Sequence, residues 1–189
     1  MALPGVQGRA YQLHRGAARK GVHTAPALTC APHAPRPNQG RMQGQPEMAG
    51  AELPALVAGV AAGVAAAATR RFRKAAATSA GALAQITRGS PELARRVAET
   101  PGALSTLVAA VAAGGAAAAP SLQDAAAGSA AVLLHIASAG LELAREVALV
   151  PGALPTLVGA VAAGGAGAAP KLQHAAENSA GVLAEITWE

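Results

Sequence analysis

Few side chains in this sequence have the type and the spacing that catalysis requires. His135 is the histidine best placed to act as a general base. A base of this kind works with a serine or cysteine nucleophile, or with an acidic partner that orients it. No such pattern surrounds His135, because Asp124 lies eleven residues, or three helical turns, away. The sequence therefore predicts a protein that is not an enzyme.

The sequence also has few residues that could bind a metal or carry out redox chemistry. Cys30 is the only cysteine, which excludes an intrachain disulfide and a cysteine-based metal cage. The five histidines include no pair at metal-ligand spacing on a helix. We therefore expect no metal site and no cofactor. A single cysteine is compatible with a reducing compartment, and a cytoplasmic location is the expectation.

One cluster of charge stands out, at residues 70–74. Arg70, Arg71, Arg73 and Lys74 surround Phe72 at the start of a predicted helix, where cations oppose the helix dipole. Local stability therefore does not explain them. The functional interpretation is a contact for an acidic or phosphorylated partner or for lipid headgroups, or a targeting signal. The other interpretation is a solvated helix end with Phe72 in the core.

The net charge of +5 belongs to the first 50 residues. They hold six basic residues and only one acidic residue, Glu47, whereas residues 51–189 hold nine of each. The neutral body gives no general electrostatic reason to bind nucleic acid. Residues 1–50 lack periodicity and contain three prolines within 32–37, so we interpret them as a disordered basic extension. The alternative interpretation is that these residues direct import into an organelle, because such segments carry spaced arginines.

The elements that position these residues repeat at a period of 50 residues. The sequence of 101–108 returns at 151–158 with one change, and that of 120–123 returns at 170–173. A more divergent copy precedes both, giving repeats at about 51–100, 101–150 and 151–189. A fixed period of this size indicates one structural unit stacked on copies of itself. Such a stack is typical of a protein that binds along a surface.

Each copy reads as two longer helices and one short helix. We predict the first longer helix at 53–68, 104–113 and 154–163, with Pro54 and Pro155 in the first turn. The short helix is predicted at 91–99 and 141–148. The second longer helix has one apolar stripe at helical spacing. The stripe comprises positions 72, 75, 76, 79, 82, 83 and 86, then 122, 125, 126, 129, 132, 133 and 136, then 172, 175, 176, 179, 182, 183 and 186.

The core should be thin. Of the residues, 52% are hydrophobic, but most of these are alanine and only 2% are aromatic. Alanine buries little area, so close approach of the helices must supply contacts that bulky side chains would otherwise make.

These segments resemble the armadillo repeat family. The sequence Pro-Gly-Ala-Leu-(Ser/Pro)-Thr-Leu-Val, at 101–108 and 151–158, is similar to the opening of the second armadillo helix. Residues 122–136 and 172–186 resemble the third helix, and Glu-Leu-Ala-Arg, at 92–95 and 142–145, resembles the short first helix. The likeness covers about residues 53–189. It implies a right-handed α-solenoid of three-helix repeats, whose third helices line a concave groove for protein or peptide partners.

The sequence departs from the family in two informative ways. Its period exceeds the usual ~40–47 residues, and the excess maps to Gly/Ala connectors at 114–119 and 164–169. Armadillo adaptors for nuclear import carry a tryptophan and an asparagine on the groove face of the third helix. The positions equivalent to that tryptophan hold Gly81, Ala131 and Gly181, and those equivalent to the asparagine hold Gln85, His135 and Glu185. The sequence therefore does not predict an import receptor of that kind.

If the third helices line the groove, the side chains one, five, eight and twelve residues before Ile86, Ile136 and Ile186 face it. The polar members are Lys74, Thr78, Gln85, Asp124, His135, His174, Asn178 and Glu185. The small members are Gly81, Gly128, Ala131 and Gly181. The other interpretation of this face is that it is simply solvated.

The sequence thus predicts an all-α fold, a right-handed α-solenoid of armadillo-like repeats behind a disordered extension. Its expected function is a non-enzymatic scaffold that binds a protein or peptide partner along the groove. The alternative is a membrane-associated adaptor that uses the basic cluster 70–74 and the basic tail. Residues 53–69 are uncharged, but they are short for a membrane span and mostly Ala and Gly. The apolar stripe of the last helix would be covered by a further repeat, so self-association through uncapped ends is a further expectation.

Overall fold

The computed structural model describes the backbone of residues 45–65 and 68–187 and the side chains of 52–65 and 68–187. This described part of the chain is helical throughout and contains no strand, which confirms the all-α prediction. Most of the predicted extension 1–50, including Cys30, lies outside the described residues. The helices are α1 (Gln45–Val64), α2 (Arg70–Thr87), α3 (Pro91–Glu99), α4 (Ala103–Ala113), α5 (Pro120–Ser138), α6 (Leu141–Leu149), α7 (Ala153–Ala163) and α8 (Pro170–Thr187).

The prediction for the first helix is wrong at both ends. Helix α1 begins at Gln45 instead of residue 53 and ends at Val64 instead of residue 68. Pro46 and Glu47 stand in its first turn, where proline and an acidic residue are favoured. Pro54 therefore lies inside the helix and removes one backbone hydrogen bond there. Burial of Leu53 and its neighbours along one face offsets that loss.

The later helix boundaries follow the prediction closely, because glycine and proline mark them. Pro91, Pro120 and Pro170 each begin a helix. Gly102 and Gly152 precede α4 and α7 with φ of 74° and 80°, a left-handed conformation that favours glycine. The repeated Pro-Gly pair therefore encodes the turn between the short helix and the first longer helix.

The helices pack in two rows. Helices α2, α5 and α8 lie side by side, and α1, α4 and α7 form a second row against them. Within each copy α1 packs on α2, α4 on α5 and α7 on α8. The short helices α3 and α6 contact both rows, α3 mainly through α5 and α6 mainly through α5 and α8. The contacts of one copy therefore recur in the next.

The core depends on close approach, as the composition predicts. Leu83, Leu107, Leu133 and Leu157 are completely buried, but much of the remaining core is alanine and valine. In each copy a glycine near the end of the first longer helix faces an alanine of the second. The pairs are Gly63 with Ala76, Gly114 with Ala126, and Gly164 with Ala176, and a Cβ at any of these glycines would collide with the alanine Cβ.

The predicted apolar stripe is largely buried in α5 and α8, but it fails at the start of α2. Phe72 is 51% exposed, and Ala75 is also exposed. The equivalent Leu172 is only 6% exposed, and it lines recesses together with Gly115 and Ala116 in the connector of the preceding copy. Among the described residues no copy precedes α2. The interpretation of Phe72 as a core residue is therefore wrong.

No single helix in the described ranges is both long enough and apolar enough to cross a membrane. Helices α6 and α7 together reach the length and composition, but they meet at an angle of 92°. The uncharged stretch predicted at 53–69 is divided, since α1 ends at Val64.

Candidate partner-binding surface

The row of α2, α5 and α8 carries all eight polar residues predicted for the groove. Lys74, Thr78 and Gln85 lie on α2, Asp124 and His135 on α5, and His174, Asn178 and Glu185 on α8. Equivalent positions of neighbouring helices therefore lie on one row, 50 residues apart in sequence. Asp124, His135 and Asn178 are half-buried, and the other five are exposed. We call the contact between α2 and α5 the first seam and that between α5 and α8 the second seam.

At the first seam His135 is joined to α2 by a hydrogen bond. Its Nδ1 lies 2.9 Å from Oγ1 of Thr87, the last residue of α2. The Thr87 hydroxyl donates to the carbonyl of Leu83 at 2.8 Å. A hydroxyl has one proton, so which of Thr87 Oγ1 and His135 Nδ1 donates in the bond between them depends on the imidazole tautomer. In the neutral tautomer with its proton on Nδ1, the ring donates to Thr87 and Nε2 is able to accept.

The surroundings of His135 favour its neutral form. Burial lowers the pKa of the imidazole from its ordinary value of 6.5, and the nearby positive charge of Arg88 lowers it further. A depression of about 180 Å³ opens beside this ring at the C-terminal ends of α2 and α5. It is lined by Thr87, Gly89, Ser90, Pro91, His135, Ser138 and Ala139.

The hydroxyl groups of this depression are already engaged. Ser90 accepts a hydrogen bond from the backbone N–H of Leu93 as the N-cap of α3, at 3.4 Å. Ser138 donates to Oε1 of Glu185 at 3.2 Å. The Ser90 bond therefore caps α3, and the Ser138 bond joins α5 to α8 beside His135.

At the second seam the contacts are charged and more exposed. Glu185 receives the Ser138 bond, and Asp124 Oδ1 lies 3.2 Å from Nζ of Lys171. The Asp124 and Lys171 side chains are 43% and 56% exposed, so water screens their attraction. The structure therefore uses three of the predicted groove residues, His135, Asp124 and Glu185, to join neighbouring helices.

The seams are also closed by small residues. A Cβ on Gly128 would lie 3.0 Å from the carbonyl carbon of Ala80, so α5 approaches the backbone of α2 closely. A Cβ on Gly181 would lie 2.8 Å from Cδ1 of Leu134. At position 181, which the armadillo resemblance makes equivalent to a groove tryptophan, the neighbouring helix thus occupies the nearest space.

The basic cluster opens α2 as the sequence predicts. Arg70, Arg71 and Lys74 are exposed and stand beside the exposed ring of Phe72. Arg73 is half-buried, and within the described part of the chain its Nε is buried without a hydrogen-bond partner. The cluster therefore combines cations with an accessible aromatic ring.

The sequence predicts His135, Asp124 and Glu185 as groove residues but does not predict the residues to which they bond. Thr87 is 2% exposed and lies four residues after Leu83, so extending the stripe of α2 by one turn would have placed it inside. The sequence signal for its bond to His135 is weak, because the equivalent residue in the second copy is Ala137. Lys171 and Ser138 carry no signal beyond being polar residues near a helix end.

The described residues contain no group of three His, Cys, Asp or Glu side chains that could hold a metal ion. Comparison of the chain with protein-family models, with characterised proteins and with solved structures gave no match. The functional argument therefore depends on the geometry of this row alone.

Proposed function

We propose that this chain is a non-enzymatic protein-interaction scaffold, built as an armadillo-like right-handed α-solenoid. The observation that carries the proposal is the row of α2, α5 and α8, which places equivalent residues of three copies on adjacent helices. A partner segment lying across the row would meet the same three positions in succession. This arrangement suits an extended or helical segment of a protein.

The chemistry of the row suits recognition of polar groups on a rigid surface. The seams hold His135 and Glu185 by hydrogen bonds, and Nε2 of His135 can form a further one. Lys74, Gln85 and His174 are exposed and can reach a ligand. Between these polar side chains α5 carries the small half-buried residues Ala127 and Ala131, which would let a partner segment approach closely.

The test starts from the full chain and a displayed library of random peptides. Peptides enriched by the wild-type chain are measured against the double variant Gln85→Arg with Asn178→Arg. We expect this variant to weaken binding at least about tenfold, since bulk and charge would cover the row at two places. The matched control is Ser105→Arg with Ala109→Arg, which adds the same charge to exposed positions of α4 in the other row.

The helix content and the melting temperature of both double variants should equal those of the wild type. Equal loss in the control would show that added charge alone is responsible. Unchanged binding to the Gln85 and Asn178 variant would move the site away from this row.

A second candidate function, a membrane-associated adaptor, is favoured by one observation. Phe72 is exposed between cations, and an aromatic ring beside basic residues suits the surface of an anionic bilayer. Co-sedimentation with phosphatidylcholine vesicles, with and without phosphatidylserine, tests it. Binding that requires phosphatidylserine and falls in Arg70→Gln with Arg71→Gln supports the adaptor, and indifference to phosphatidylserine rejects it.

A further inference from the structure

One face of α7 is exposed although the same face is covered in both earlier copies. Leu154, Val158 and Val161 are 42%, 56% and 37% exposed, and we call them the leading face. The residues of α4 equivalent to Val158 and Val161 are Val108 and Val111, which are only 5% and 4% exposed. Because α7 packs on α4, the copy that follows covers these positions in the second copy.

The opposite end of the molecule shows the complementary exposure. Phe72 and Ala75 on α2 and Ala55 and Ala62 on α1 are all exposed, and we call them the trailing face. The equivalents of Phe72 and Ala75 in the third copy, Leu172 and Ala175, are buried, and those of Ala55 and Ala62, Thr156 and Ala163, are half-buried. In the third copy the preceding copy supplies the cover.

The internal joint between the second and third copies shows how the two faces fit. Val111 of α4 stands opposite Thr156, Gly159, Ala160 and Ala163 of α7 and Leu172 and Ala175 of α8. These residues line a recess of about 280 Å³ between the copies. A branched apolar side chain of one copy, Val111, thus faces small side chains and a leucine of the next across this recess.

We propose that the leading face of one chain docks on the trailing face of a second copy of the same chain. Val161 is equivalent to Val111, and Phe72 and Ala75 are equivalent to Leu172 and Ala175, so the contact between chains repeats the joint that the chain already makes internally. A second copy is the occupant because this chain carries both halves of that joint. The contact joins two different faces, so it is head-to-tail and can extend beyond two chains.

One charge pair of the internal joint has no counterpart between the leading and trailing faces, so the strength of the contact between chains can be changed by restoring it. Asp124 of α5 pairs with Lys171 of α8 across the internal joint. The equivalent residues at the ends are His174 on α8 and Arg71 on α2, both exposed. The contact between chains should therefore be weaker than the internal joint, and His174→Asp should strengthen it by restoring an acid opposite Arg71.

The experiment is sedimentation of the full chain over a wide range of concentration. We expect the average mass to rise with concentration without stopping at the mass of two chains. Val158→Glu on the leading face and Ala75→Glu on the trailing face should each hold the chain as a monomer. An equimolar mixture of the two should form a complex of two chains that grows no further, since each variant keeps one intact face.

The matched control is Leu141→Glu, which makes the same change at an apolar residue of α6 that is 46% exposed but lies beside Arg95 and Glu99 of α3, inside the stack. It should associate like the wild type, and His174→Asp should associate at lower concentration than the wild type. Circular dichroism checks that each variant keeps its helix content.

Four results would overturn the proposal. A wild type and a His174→Asp variant that both stay monomeric at every concentration would reject any association. Loss in Val158→Glu but not in Ala75→Glu, with no recovery on mixing, would indicate pairing of two leading faces. An association that all three glutamate variants retain would place the contact elsewhere. In the last case the wild type and Val158→Glu are monomeric, and Ala75→Glu abolishes binding to phosphatidylserine vesicles. The trailing face then meets a membrane instead of a second chain.

Discussion

The first seam, between α2 and α5, and the second seam, between α5 and α8, join equivalent helices by different chemistry. At the first seam a half-buried neutral imidazole bonds to the buried hydroxyl of Thr87. At the second seam the carboxylate of Glu185, at the position equivalent to His135, bonds to the exposed hydroxyl of Ser138. The copies therefore place contacts between the same helices but make them from different groups. The stability contributed by the first seam should depend on packing and pH, and that contributed by the second seam on salt.

Removing the hydroxyl at each seam should affect stability differently. Thr87→Val removes the hydrogen bond to Nδ1 of His135 and should lower the free energy of unfolding by about 1 kcal/mol, because a part-buried hydrogen bond contributes a net ~0.5–1.5 kcal/mol. Ser138→Ala frees an exposed carboxylate to water and should cost less than about 0.5 kcal/mol. Urea unfolding measures both, and equal losses would contradict the distinction between the seams.

Adding one methyl group at each seam should give opposite signs. Gly128→Ala places Cβ against the backbone of α2, which cannot rotate away, and should destabilise the chain by about 1 kcal/mol, within the usual cost of overpacking. Gly181→Ala meets only the end of the Leu134 side chain, which can change rotamer. There the better helix propensity of alanine, up to about 1 kcal/mol, should leave stability equal or higher. Thermal unfolding of the two variants compares the signs directly.

The helices of the second and third copies could be predicted because two signals agree there. Apolar residues recur at helical spacing, and Pro and Gly mark the ends, as at Pro120 and Gly102. The predicted start of α1 is wrong because proline is typical of the first turn of a helix, whereas Pro54 lies inside α1. Phe72 was misjudged because burial of that position depends on the preceding copy.

The candidate surface could be predicted in part. Counting along the repeat placed the eight polar residues on one row of helices, but periodicity describes one helix and says nothing of its lateral neighbours. The bond of His135 to Thr87 joins residues 48 apart and depends on the register of α5 on α2. That register follows from the close approach at Gly128, which only the three-dimensional structure reveals.

Acid should destabilise the first seam selectively. The pKa of His135 is lowered in the folded chain, by burial and then by Arg88, so the unfolded state binds a proton more readily. Stability is therefore complete above about pH 6.5, the ordinary value, and falls as the pH drops toward the lowered pKa. His135→Gln should remove this part of the pH dependence, whereas His174→Gln, on the exposed surface of α8, should retain it. Unfolding curves between pH 5 and pH 8 (about the range in which histidine titrates) would show a parallel slope in both variants if His135 were not responsible.

Salt should act on the second seam, with the smallest effect of the four. Asp124 and Lys171 are both about half exposed, so their coupling in a double-mutant cycle with Asp124→Asn and Lys171→Gln should be at most about 0.5 kcal/mol. It should shrink further in high salt, because an exposed pair is screened within a Debye length of about 10 Å at 0.1 M salt. The Thr87→Val loss at the first seam should be the same in low and in high salt, since that contact is uncharged and part-buried. A coupling that persists in high salt would mean that the pair is held by more than its charges, and the second seam would then resemble the first.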